Sequence, residues 1–151
     1  MLSRAYSEMA DPDLEPLKRF AAAVIRCLVA RMMDPHLYFE QQYMSTIRGT
    51  ESSSELRALM EGLVDWIAST ALDHAAIAEL DEELAQEALP SFSLMVASGG
   101  RTIWPVLARG HISSDEEYAR VISLSHDPNR GTAQDRHLAA RLLDCYAAKA
   151  H

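Results

Sequence analysis

A chain of 151 residues falls inside the size of one domain and is long enough to bury a core without staples. With 48% apolar and 24% charged residues it lacks the low hydrophobicity of a disordered chain. Its 22 acids against 14 bases give a net charge of −8, which repels phosphates and so argues against nucleic acid, and the absence of a basic amphipathic face argues against a membrane surface.

Six Gly and six Pro are few breakers, and abundant Ala, Leu, Arg and Glu favour helix. Residues 1–12 read as a polar leader and 13–151 as a single helical domain. The leader carries acids before any apolar run, so it does not read as a secretory signal, and the longest apolar stretch is interrupted by Arg26 and too short to span a bilayer. The expected compartment is the cytoplasm.

The pattern of Leu14, Leu17, Ala21, Val24, Leu28 and Met32 predicts a helix over 13–33, with Pro16 tolerated in its first turn. Asp34 and Pro35 suit the start of a second helix reaching Ile47 and closed by Gly49. Ser52 to Glu55 forms a capping box, followed by Leu56, Leu59, Met60, Leu63, Val64 and Ile67 at helical spacing. Asp73 caps a fourth helix that Pro90 ends, with Ile77, Leu80, Leu84 and Leu89 on its core side. Residues 91–113 are ambiguous. They read as two short helices, Ser91 to Ala97 and Thr102 to Arg109, although Val96, Thr102, Ile103 and Val106 would also suit one strand; a single strand has nothing to pair with, so helix is preferred. Ser114 to Glu117 is a second capping box, and Thr132 caps a last helix through Leu138, Leu142, Leu143 and Tyr146. The expected fold is all-α, an irregular single-domain bundle of six to eight helices.

Catalytic templates are missing: GxSxG, GxGxxG, a P-loop, HExxH and paired CxxC do not occur. His36 and Glu40 share a helix face, but no ExxH accompanies them, so a solvated pair is the better reading and neither metal nor cofactor is expected. Cys27 and Cys145 read as two buried thiols, and Trp66 and Trp104 as rim residues of the core, with an interface anchor as the alternative.

The charge distribution is the anomaly. Residues 58–100 hold Glu61, Asp65, Asp73, Glu79, Asp81, Glu82, Glu83 and Glu87 and no Lys or Arg, so this segment carries the whole net charge. Glu79, Glu83 and Glu87 recur every four residues, a spacing at which like charges destabilise a helix unless bases intervene. Half of that reading is a face kept acidic for solubility. The other half is a docking face for a basic protein, built from Glu79, Glu82, Glu83 and Glu87 with Glu61, Asp65 and Trp66. A small acidic helical domain of this kind suits an inhibitor of a toxin or nuclease, of the bacterial immunity type. The alternatives are a helical enzyme or ligand binder with an interhelical pocket, and an adaptor or homodimer.

Overall fold

The computed structural model describes residues 11–31, 39–70, 73–97 and 100–150. Leu17, Phe20, Ala21, Val24 and Leu28 lie one and two turns apart, and all are buried along α1 (Leu14–Val29). That stripe is broad enough to face several neighbours at once, which makes α1 the centre of the bundle. Four helices pack on it: α2 (Phe39–Gly49), α3 (Ser53–Thr70), α4 (His74–Gln86) and α6 (Trp104–Arg109). The short α5 (Phe92–Val96) packs on α3 and α4, and a 3₁₀ turn (Gly100–Thr102) joins it to α6. The last two helices, α7 (Asp115–Ser125) and α8 (Ala133–Ala150), pair with each other, and α8 also reaches α6. Eight α-helices and no strand occur among the described residues, so the ambiguous 91–113 region resolves as helix.

The helix ends show why the chain folds where it does. Ser52, Ser91, Ser114 and Thr132 each accept a hydrogen bond from the backbone amide three residues on, at 3.0–3.2 Å. Gly110, at φ +86°, ends α6 in the left-handed conformation. α4 stops at Gln86, before the expected Leu89. The amide of Leu89 bonds back to the carbonyl of Leu84 at 2.9 Å, and Ala88 takes φ +60°, a Schellman turn with alanine where glycine is usual. α1 likewise ends at Val29, short of residue 33. The predicted start of the second helix, including Asp34, Pro35 and His36, lies outside the described residues. Asp11, assigned to the leader, is tied in: its carboxylate accepts from the Ser53 amide at 2.5 Å, joining the front of α1 to the start of α3.

The core holds Leu17, Val24, Leu28, Leu63, Leu80, Leu84 and Leu142 as expected, whereas Leu59 and Leu138 pack on its edge. Trp104 corrects the sequence reading. It is 1% exposed and stacks obliquely on Phe20, with ring centroids 5.4 Å apart, so it is a central core residue. Cys27 is buried as expected but Cys145 is exposed, and both are free thiols.

Candidate functional site

Each of the eight carboxylates of segment 58–100 has a defined fate. Arg31, at the end of α1, donates to Glu83 at 2.5 Å and lies 3.5 Å from Glu79. Arg26, in the last turn of α1, places one nitrogen 2.8 Å from both oxygens of Glu87. The acidic stripe is therefore offset by bases from outside its own helix, which corrects the expectation of an uncompensated face. Asp65 pairs with Arg101 at 2.5 Å, and Asp73 caps α4 by accepting from the Ala76 amide at 2.7 Å. Asp81 turns inward, where it accepts from the Ser93 amide at 3.1 Å and from the Ser93 hydroxyl. Only Glu61 and Glu82 form no ion pair or side-chain hydrogen bond among the described residues, and Glu82 is exposed. Eight carboxylates meet three arginines, leaving a surplus of five on this part of the molecule.

These contacts set the chemistry of the groups. The Arg31 guanidinium, and secondarily the Cys27 thiol, hold the Glu83 carboxyl below its usual range. Burial, reinforced by neighbouring Glu83, pushes Cys27 up to about 11, so at neutral pH it is a thiol that donates rather than a nucleophile. Burial also raises Asp81 above the ordinary carboxylate value, against the opposing hydrogen bonds from Ser93. Trp66, beside Asp65 on α3, remains 41% exposed, one of two large exposed apolar side chains among the described residues; the other is Val96 at the end of α5. The Asp65–Arg101 bridge ties α3 to the turn that follows α5.

Two polar clusters escaped the sequence reading. Asp135 is wholly buried and accepts from the Ser91 amide at 2.7 Å and the Thr132 amide at 2.8 Å. It completes the cap of α8 while fastening α5, a structural task that leaves its lone pairs committed. Arg109 donates to Glu117, to Ser113 at 2.9 Å and to the His111 carbonyl at 3.0 Å, and lies 3.5 Å from Asp13. Burial opposes ionisation of Glu117, but the Ser113 amide and hydroxyl and the Arg109 guanidinium outweigh it and hold its carboxyl low. The local caps of Thr132 and of Ser114 with Glu117 were legible from spacing, but Ser91 and Arg109 join them from other helices, and spacing along the chain carried no sign of those contacts.

Two of the clefts among the described residues lie between helices. One, of about 570 Å³, is walled by Gln41, Gln42, Tyr43, Ser45 and Thr46 of α2 and Leu59 of α3. The other, of about 480 Å³, lies between the outer face of α1, the turn after α4, and α6. Among the described residues no group of three His, Cys, Asp or Glu has the arrangement of a metal site, and no helix is long and apolar enough to cross a membrane. Comparison with protein-family models, with curated proteins and with solved structures finds no match for this chain.

Proposed function

We propose that this chain is a protein-binding domain that docks its acid-rich α3–α4 surface on a basic partner, of the toxin or nuclease kind, in the manner of a cytoplasmic immunity-type inhibitor. The observation that carries the reading is the surplus of five carboxylates left once Arg26, Arg31 and Arg101 are matched against the eight of segment 58–100, together with Trp66, which stands 41% exposed and follows Asp65 on α3. Surplus charge of one sign steers a complementary partner, and a half-exposed Trp is the side chain most often found to anchor an interface. Glu82 and Glu61 supply the charge that the arginines leave uncommitted. Glu79, Glu83 and Glu87 contribute through the same surface, with part of their charge spent on α1.

The test is copurification from the native host, comparing the natural chain with a Glu61→Gln, Glu82→Gln, Trp66→Ser variant. A basic protein retained at about 0.05 M salt, released near 0.5 M and lost with the variant supports the proposal. Retention of the same protein by the variant at both salt concentrations overturns it.

A further inference from the structure

Glu61, Asp65, Trp66 and Glu82 do not line the cleft beside α1, which shares only Glu87 with the proposed docking surface, and its chemistry is different. Arg19, Ala22, Ala23 and Arg26 fall at the spacing of one helix face, so α1 presents two cations separated by two alanines. The alanines keep the floor low and apolar. Opposite them, Leu89 and Ala108 complete the apolar lining. The rim is the turn after α4, where Ala88 is held at φ +60° and Glu87 is held to Arg26 at 2.8 Å. That conformation belongs to the Schellman turn that ends α4, whose hydrogen bonds from Ala88 and Leu89 to Ala85 and Leu84 hold the rim in place.

The two arginines are not equivalent. Arg26 has its charge matched by both oxygens of Glu87, whereas Arg19 has no carboxylate or hydrogen-bond acceptor among the described residues. In a chain of net charge −8, this cleft therefore carries a net positive charge over an apolar floor. Its volume of about 480 Å³ lies within the range of small-molecule sites, roughly 300–1,000 Å³.

We propose that this cleft binds a small organic carboxylate with a compact apolar body, its charge taken by Arg19 and its body laid over Ala22, Ala23 and Leu89. Glu87 acts as the counter-element: it occupies Arg26 and puts a negative charge in the wall, which limits the site to one anionic group. Removing that carboxylate frees a second guanidinium and strengthens anion binding.

The experiment is a nuclear magnetic resonance titration of the full chain with octanoate, and in parallel with octylamine, followed through backbone amides. Octanoate should give saturable shifts confined to α1, residues 87–89 and α6, and octylamine none. Arg19→Gln should weaken octanoate about tenfold, the loss of one charge-assisted contact, and Glu87→Gln should tighten it. Ala22→Trp, which fills the floor, should abolish the shifts. Equal response to octylamine, shifts spread over other helices, or octanoate binding indifferent to Arg19→Gln would each overturn the proposal.

Discussion

Arg26 lies 61 positions before Glu87 in the chain, yet one of its nitrogens sits 2.8 Å from both of that carboxylate's oxygens. Arg31 repeats the arrangement one turn further on, with Glu83 at 2.5 Å and Glu79 at 3.5 Å. Arg26 on α1 and Arg31 just past its end face Glu79 and Glu83 on α4 and Glu87 at its cap, so the charges clasp the ends of the two helices together. Repulsion within the glutamate stripe is answered across the helix pair, and the stripe becomes a structural element as well as a charged surface.

Glu83→Gln should lower the melting temperature of the free protein at neutral pH. Arg31, only 13% exposed, loses the charge of its shortest partner, and the neutral amide oxygen that replaces it is a weaker acceptor for the guanidinium and for the Cys27 thiol. The native carboxyl is depressed below its ordinary value, so its stabilisation is present above about pH 4.3 and fades as pH falls toward the depressed value. The gap between the natural chain and the variant should therefore hold from about pH 6 to 8 and narrow as pH falls below about 4.3. Thermal melts across that range test it; a variant that melts higher at neutral pH would show that repulsion within the stripe outweighs the clasp.

Asp81→Asn should show the opposite dependence. Burial raises the native carboxyl of Asp81, so the folded state favours its neutral form. The stability it contributes is complete below the unfolded value near 3.9 and is lost as pH rises through the raised native value. Asparagine keeps an acceptor for the Ser93 amide, at 3.1 Å in the natural chain, and carries no charge to bury. The variant should gain on the natural chain as pH rises from about 4 to 7, in denaturant titrations at fixed temperature. A gain that shrinks with rising pH would mean that the Ser93 hydrogen bonds outweigh burial.

These two carboxylates mark how far the sequence could be read. Helix positions were legible because caps and periodic apolar residues are local: Ser52, Asp73, Ser91, Ser114 and Thr132 all cap as their spacing indicates. The candidate surface was legible as composition, since eight acids without a base need only counting. The destination of each carboxylate was not. Asp81 and Glu82 are neighbours in sequence, yet one is fixed to Ser93 and the other is exposed, and only the packing of α5 against α4 separates them. Trp104 was misplaced for a related reason: six-residue α6 is too short to show a periodic face, and its burial depends on Phe20 from α1.

Ala88→Gly should raise stability. Alanine at φ +60° bears the left-handed penalty of about 1–2 kcal/mol, of which glycine's greater freedom when unfolded returns about 0.4–1 kcal/mol. The net gain should be about 0.5–1 kcal/mol in chemical denaturation. A loss of stability would show that Ala88 earns its conformation through side-chain contacts that glycine lacks.

Gly100→Ala should be costly. A Cβ built at Gly100 would stand 1.8 Å from the Leu94 carbonyl oxygen, a backbone atom with no rotamer to yield. The 3₁₀ turn must then separate from the end of α5, at about 3 kcal/mol, the upper end of overpacking costs. Denaturant midpoints measure this directly, and a change below about 1 kcal/mol would mean that the turn moves freely away from α5.

The last prediction separates the two uses of acidic charge on α3 and α4. Glu61 and Glu82 form no ion pair among the described residues, so Glu61→Gln with Glu82→Gln should leave the melting temperature of the free protein nearly unchanged. Toward a basic partner the same pair of changes should slow association and flatten its dependence on salt, because steered encounters run well above the roughly 10⁵–10⁶ M⁻¹s⁻¹ of neutral ones and fall steeply with ionic strength. Glu83→Gln with Glu87→Gln should act chiefly the other way, lowering the melt by freeing Arg31 and Arg26. The same changes remove two negative charges from the surface and leave two arginines unmatched, so association should slow in this variant too, and the melt is what distinguishes the pairs. Stopped-flow association at two ionic strengths and a thermal melt of each variant give the full comparison. If Glu61→Gln with Glu82→Gln changes neither rate nor salt dependence, the uncommitted acids serve solubility alone and the docking surface lies elsewhere on the bundle.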